Sequence, residues 1–426
     1  MNLARERALL ALSFVLQAVI FAASAAAARQ GQPPSLIVIG VAVSFVPYAG
    51  SLVFSRALTG VRSPCILAAA ITSALGAIWL LAPPVLSDDL YRYIWEGRLW
   101  LEGFNPYDVP PDHPSLAPLR DELWASINNK PLASVYPPLC QLLFATAGWL
   151  GGGAFTVKLL ALGCLTLTAA WMARVTGDFR AALALGANPL LSSESALNGH
   201  FDVVVGAAML AVAWELSRHR YVQAGIAVSV AVGFKVVGLI LLPLLWRRPR
   251  VLVGTALGSA LLLAPLVVSR TPGDSASGPT QFVTRWQGNE SAFALVDWLC
   301  RQALPNSTAG MAARVLVVMI FLAVVSVLLY RRVAPARAIR ILVWSVLLLS
   351  PQVHPWYLGW LLPLELAVGG RAALIWSVAV LSAYAPLDGW VESGVWEMPL
   401  WLQVSEYVLA ATALFFDFRF NSKGFR

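Results

Sequence analysis

Apolar runs of near membrane-crossing length recur along this chain, and they restrict its fold more than any single motif. A spanning helix needs about 20 mostly apolar residues. The first candidate is 8–28, preceded by Arg5 and Arg7. It has the basic start, apolar middle and small residues of a secretory signal peptide, but the many runs that follow favour an uncleaved helix. Those runs lie near 35–55, 64–86, 155–173, 181–197, 201–217, 221–246, 251–269, 311–330, 338–350, 356–369, 372–386 and 401–417. Several are short, which predicts broken or re-entrant helices buried in protein. The 221–246 run is interrupted by Lys235 and reads as two segments. The expectation is an all-α polytopic membrane protein, one integral domain over 1–426 with about 11–14 membrane segments.

Composition closes the alternatives. Only 12% of the 426 residues are charged, against about 25% in soluble domains, too few to coat two or three soluble domains. Seventeen Trp and four Cys do not fit a disordered chain or a disulfide scaffold. Cys65, Cys140 and Cys164 read as packing residues and Cys300 as a loop residue, with no CxxC. The net charge of +8 reads as orientation, not nucleic-acid affinity. Arg5/Arg7, Arg56/Arg62, Arg174/Arg180, Arg218/Arg220, Arg247/Arg248/Arg250, Arg331/Arg332/Arg337/Arg340, Arg371 and Arg419/Lys423/Arg426 can all be cytoplasmic. These are 19 of 30 basic residues, and the same stretches hold four acids, Glu6, Asp178, Glu215 and Asp417. Segment 138–152 then reads as a half-span or interfacial helix, because a full crossing would move Arg174/Arg180 outside.

Three stretches fall on the other side: 87–137, about 270–310 and about 387–400. The first is the longest and holds eight of the 22 acids. A loop of that length usually has a function. Its opening, Ser87-Asp88-Asp89-Leu90-Tyr91-Arg92-Tyr93-Ile94-Trp95-Glu96-Gly97, places paired acids at a membrane–water boundary, where they suit a general base or a metal site. As a helix it aligns Asp89, Arg92 or Tyr93, and Glu96 on one face, with Tyr91 and Trp95 beside it. The plainer reading is a helix cap with an aromatic belt.

Other polar clusters break later apolar runs. Glu194, Asn198, His200 and Asp202 fall within nine residues, and ionisable groups at membrane depth usually face a cavity. Lys235 lies 14 residues after Tyr221, roughly 21 Å along a helix, near the same face; it is either a snorkelling side chain or a partner for an anion. Gln352, His354, Trp356 and Tyr357 sit at a corner flanked by Pro351 and Pro355. Gly288-Asn289-Glu290 adds a weaker cluster. There is no Walker A, Rossmann, HExxH or GxSxG pattern.

The motifs SDDLYRYIWEGR…GFNPY (87–107), YPPL (136–139), NPLLSSESALNGHFD (188–202), GFK (233–235) and SPQVHPWYLGWLLPL (350–364) together resemble those of GT-C-type membrane glycosyltransferases. More narrowly, they are similar to the bacterial polyprenyl-phosphomannose-dependent mannosyltransferases. The resemblance implies a GT-C-like bundle with a long first extracytoplasmic catalytic loop. It implies an inverting transfer of mannose or another hexose from a polyprenyl-phosphate donor to a lipid or glycan acceptor. The active site would face the periplasm or cell exterior of a bacterial inner (plasma) membrane. The base would be Asp89, or its neighbour Asp88. Lys235, His354 and Arg92 would stabilise the departing phosphate. Glu194, Asn198, His200, Asp202, Tyr91, Trp95, Glu96, Gln352, Trp356 and Tyr357 would bind sugar or acceptor. A divalent metal is compatible with so many carboxylates, with no ligand set assigned. The competing expectation is a transporter or flippase, which also uses broken helices and midplane charges.

Overall fold

The structure is a computed structural model that describes residues 2–58, 60–263, 278 and 286–420. Among these, twenty α-helices and several 3-10 turns form an all-α bundle. Five helices are long and apolar enough to cross a membrane: Leu3–Arg29, Pro34–Leu58, Ala154–Thr176, Asn306–Tyr330 and Ala372–Ser393. The chain is an all-α polytopic membrane protein. Other apolar runs are shorter helices, including Pro64–Ala77, Tyr221–Phe234 and Pro249–Leu262. At 14 residues each, these rise about 21 Å, less than a hydrocarbon core of roughly 30 Å. Helix Pro138–Trp149 has 12 residues, a length suited to the half-span read from the sequence.

The centre is enclosed on all sides. Every residue of helix Pro189–Ala196 is buried, as is nearly all of Leu358–Ala367, the pattern of helices surrounded by others. Close approach is achieved with glycines. Gly206 faces the Gly359 carbonyl and Gly97 the Phe144 carbonyl; a Cβ at either would sit 2.3 and 2.2 Å from those oxygens. Gly97 thereby fixes the distance between helix Asp89–Leu101 and helix Pro138–Trp149. Gly97→Ala should therefore lower stability by about 1–3 kcal/mol, read as a lower unfolding temperature in detergent. An unchanged melting profile would mean that the two helices are free to separate.

The polar elements sort to two ends. At one, Arg180 donates to Ser55 Oγ and the Leu52 carbonyl, both at 3.2 Å, and Arg248 lies over the Tyr221 ring. These are ends read from the sequence as cytoplasmic. At the other, Asp388 accepts from the Ser35 amide, Gly288 pairs with Gln352 by backbone bonds, and loop 87–137 meets residues 198–202. The loop is itself folded. Helix Asp89–Leu101 carries an acid in its first turn, which suits the helix dipole. It stops where Gly103 takes a left-handed φ of 79°. Trp95, Leu99, Leu116 and Ile127 form a small separate core beneath the loop. Of the second stretch, 270–310, residues 270–277 and 279–285 lie outside the described residues, as do Lys423 and Arg426. Its described part forms helix Ala292–Ala303 and the start of Asn306–Tyr330.

Candidate active site

The hub is local. Asn188 caps helix Pro189–Ala196 through the Leu191 amide, with Pro189 at the first helical position, where proline needs no donor. The helix ends before Gly199, whose φ is 79°. A side chain there would be strained and would also press on Leu90. This turn folds His200 back on Glu194: His200 Nδ1 lies 2.9 Å from Glu194 Oε2. Asn198 donates to the same oxygen at 3.2 Å, and Tyr384 donates to Oε1 at 2.5 Å. Glu194 is thus buried with both oxygens engaged. Its contact with Nδ1 fixes the orientation of the His200 ring.

The other ring nitrogen, Nε2, points to Asp89, 3.8 Å from Oδ2, an ion-pair distance longer than a hydrogen bond. Ser87 Oγ lies 3.5 Å from the same nitrogen. Asn128 reaches up from the loop and donates to Asp89 Oδ1 at 3.1 Å and to Asp88 Oδ1 at 2.7 Å. Tyr93 donates to Asp89 Oδ2 at 3.5 Å. The two acids therefore differ. Asp88 is exposed, whereas Asp89 is packed among fixed donors and keeps 22% of its side chain exposed, enough to meet a substrate hydroxyl. Burial alone would push the Asp89 carboxyl up. His200, Asn128 and Lys235 more than offset this and hold it below the usual carboxylate range.

Lys235 stands where helix Tyr221–Phe234 ends in extended backbone. Its ammonium lies 3.7 Å from Asp202 Oδ1 and 5.5 Å above the Tyr357 ring. Trp360 donates to the same Asp202 oxygen at 2.7 Å. Asp202 and Lys235 also line a small cavity walled by Tyr93, Phe144, Phe201 and Phe234. The 350–357 corner joins through rings: Trp356 is stacked between His200 and His354, at centroid distances of 4.0 and 4.2 Å. The Gln352 side chain lies 2.6 Å from His354 Nε2.

The structure gives several residues expected at the substrate other partners. Trp95 is fully buried in the small loop core, with Tyr91 packed against that core, so neither ring faces the His200 hub. Trp356 has a histidine on each face. Arg92 donates to Glu96 at 2.8 Å and to the carbonyls of Asn128, Asn129 and Leu132. Four of its five N–H groups are thus engaged by the loop. Glu96 also accepts from Ser134 and Gln141. This pair holds the segment that carries Asn128. Asn128, Tyr384 and Trp360 are partners that sequence reading missed. Asn128-Asn129 is a turn-prone pair, while the two aromatics carry no local signal of their partners. Among the described residues, no group of three His, Cys, Asp or Glu side chains is placed to hold a metal ion.

Residues 17–248, more than half of the chain, match the model of a family described as alpha-(1->6)-mannopyranosyltransferase, N-terminal domain. The chain belongs to this MptA_B family. It is therefore a membrane glycosyltransferase, with a sugar donor and a glycan or lipid acceptor, and the transporter expectation is set aside. The MptA_B match spans Asp88, Asp89, His200, Asp202 and Lys235, and ends before His354. No curated protein and no solved structure matches the chain.

Proposed function

We propose that this glycosyltransferase moves mannose, with inversion, from a polyprenyl-phosphate donor to a hydroxyl of a lipid or glycan acceptor. The reaction takes place on the extracytoplasmic side of a bacterial inner membrane. The observation that supports this best is the presence of two unlike groups within electrostatic reach of each other: the part-exposed, ionised Asp89 carboxylate beside His200 and the Lys235 ammonium beside Asp202. The acceptor hydroxyl hydrogen-bonds to Asp89, and its oxygen attacks the anomeric carbon. The bond from that carbon to the phosphate oxygen breaks, polyprenyl phosphate leaves with the bonding pair, and the hydroxyl proton passes to Asp89. Lys235 meets the charge that develops on the phosphate. His200 and Asn128 fix the base. Glu194, Asn198 and Tyr384 fix His200. Arg92 and Glu96 hold the loop. Gln352 and His354 remain near enough to touch donor or sugar.

The test is transfer in reconstituted vesicles given polyprenyl-phosphate mannose or a nucleotide-linked mannose, added to one face at a time. A new glycosidic bond with the lipid-linked donor alone supports the reading. Transfer from the nucleotide sugar, or movement of the donor without a new bond, overturns it.

The acid limb of the rate tests the His200 contact. A carboxyl held down in the folded protein is active above its pKa and loses activity as pH falls through it. The wild-type rate should therefore be flat through the weakly acidic range. His200→Gln removes a group that holds Asp89 down while burial still pushes it up, so the acid limb should move to higher pH. A limb that stays in place would remove His200 from the control of the base.

A further inference from the structure

The end of the bundle opposite Asp89 contains a second, larger cavity that the transfer reaction does not use. It is about 580 Å³, within the size range of small-molecule sites. It opens between the last residues of helices Asp202–Ser217 and Asn306–Tyr330 and the start of helix Pro335–Leu349. Its mouth carries Arg247, Arg248 and Arg332, together with Trp246 and Tyr330. Its inner wall is apolar, formed by Leu241, Leu245, Leu328 and Ile339. Among the described residues, no ion pair involves any of the three arginines. The nearby acid, Glu215, faces Arg220 at 3.8 Å. Two of the arginines are placed by rings: Arg247 lies 4.7 Å from the centre of Trp246, and Arg248 lies 5.7 Å from that of Tyr221. Arg332 sits in a turn with a left-handed φ of 51°, a conformation that costs a non-glycine residue free energy.

Unpaired cations at a mouth and leucines within are complementary to a molecule with an anionic head and a hydrocarbon chain. Basic pockets between membrane helices hold lipid headgroups in this way. We propose that this cavity binds one anionic phospholipid, with its phosphodiester on Arg247, Arg248 and Arg332 and its first methylenes on the leucine wall. A free phosphate ion would leave that wall unused. Arg248, over Tyr221 at the start of helix Tyr221–Phe234, is one helix length, roughly 21 Å, from Lys235 at its end. The cavity is a structural lipid site distinct from the reacting centre, and it does not depend on the identity of the sugar donor.

Native mass spectrometry of the full chain, released from detergent with equal amounts of phosphatidylglycerol and phosphatidylcholine, reads the retained lipid directly. Wild-type protein should retain phosphatidylglycerol preferentially. Arg332→Gln and the Arg247→Gln/Arg248→Gln pair should each reduce that retention, by roughly five-fold per arginine removed, without changing phosphatidylcholine retention or sugar transfer. Each variant is compared at matched unfolding temperature, and Arg332→Gln serves alone if the double variant does not fold. Equal retention of the two lipids, or retention that both variants leave unchanged, overturns the proposal. So does phosphatidylglycerol that is fully displaced by millimolar inorganic phosphate, which would indicate an anion site without a lipid.

Discussion

Asp89→Asn should reduce sugar transfer by about 10²–10⁴-fold, the range contributed by a positioned proton acceptor, with little loss of stability. The asparagine keeps the size and most of the hydrogen-bonding capacity of the side chain, so helix Asp89–Leu101 and its contact with Asn128 should persist. What it loses is the ability to take a proton from the acceptor hydroxyl. Asp88→Asn is the control that gives the result meaning. Asp88 is exposed and shares only Asn128 with its neighbour, and it has no contact with Tyr93 or His200 comparable to those of Asp89. Its loss should cost less than about ten-fold, well below a general-base effect. Single-turnover transfer with matched membrane insertion measures both. If Asp88→Asn is the inactive variant, the base moves by one residue; if both variants keep near-normal rates, neither acid removes the proton.

The class of the protein was legible because it depends on pattern alone. Apolar runs and few charges leave little besides a helical membrane bundle, and the broken run at Lys235 is a broken helix. Part of the site was legible for a related reason. Glu194, Asn198 and His200 are close in sequence, so a short helix and one glycine turn suffice to bring them together. The loop pair Arg92–Glu96 was visible at helical spacing as well. Its purpose was not, because the carbonyls of 128–132 that Arg92 holds lie some forty residues on. Tyr384 meets Glu194 across 190 residues and Trp360 meets Asp202 across 158. Such pairings are set by how helices pack, which periodicity does not record. The surroundings of the aromatic residues were not legible for the same reason. Trp95 and Trp356 have the chemistry to stack on a sugar, but the first is enclosed by the loop core and the second by two imidazoles. Residue type indicates what a ring can do, and burial decides whether it does so.

Lys235 offers the second large effect, and here function and stability must be separated. Lys235→Met should lower the transfer rate by about 10²–10³-fold, the scale for removing one group that meets developing charge. The same change leaves Asp202, which is 5% exposed, with Trp360 as its remaining close donor among those described. Removing one partner of a buried ion pair costs roughly 3–5 kcal/mol, so the single variant will also unfold at lower temperature. Asp202→Asn in the same chain removes the stranded charge. The double variant should recover most of the lost stability while remaining inactive, because the amide still bonds to Trp360 but nothing replaces the ammonium beside the donor phosphate. Asp202→Asn alone should keep much of its activity, since Lys235 then retains its charge. If the double variant recovered activity along with stability, Lys235 would be a packing element of the helix break. The leaving phosphate would then need another partner, and His354, whose ring centre lies 4.2 Å from that of Trp356, would be the first to replace, as a hydrogen-bond donor, since burial keeps its imidazole neutral.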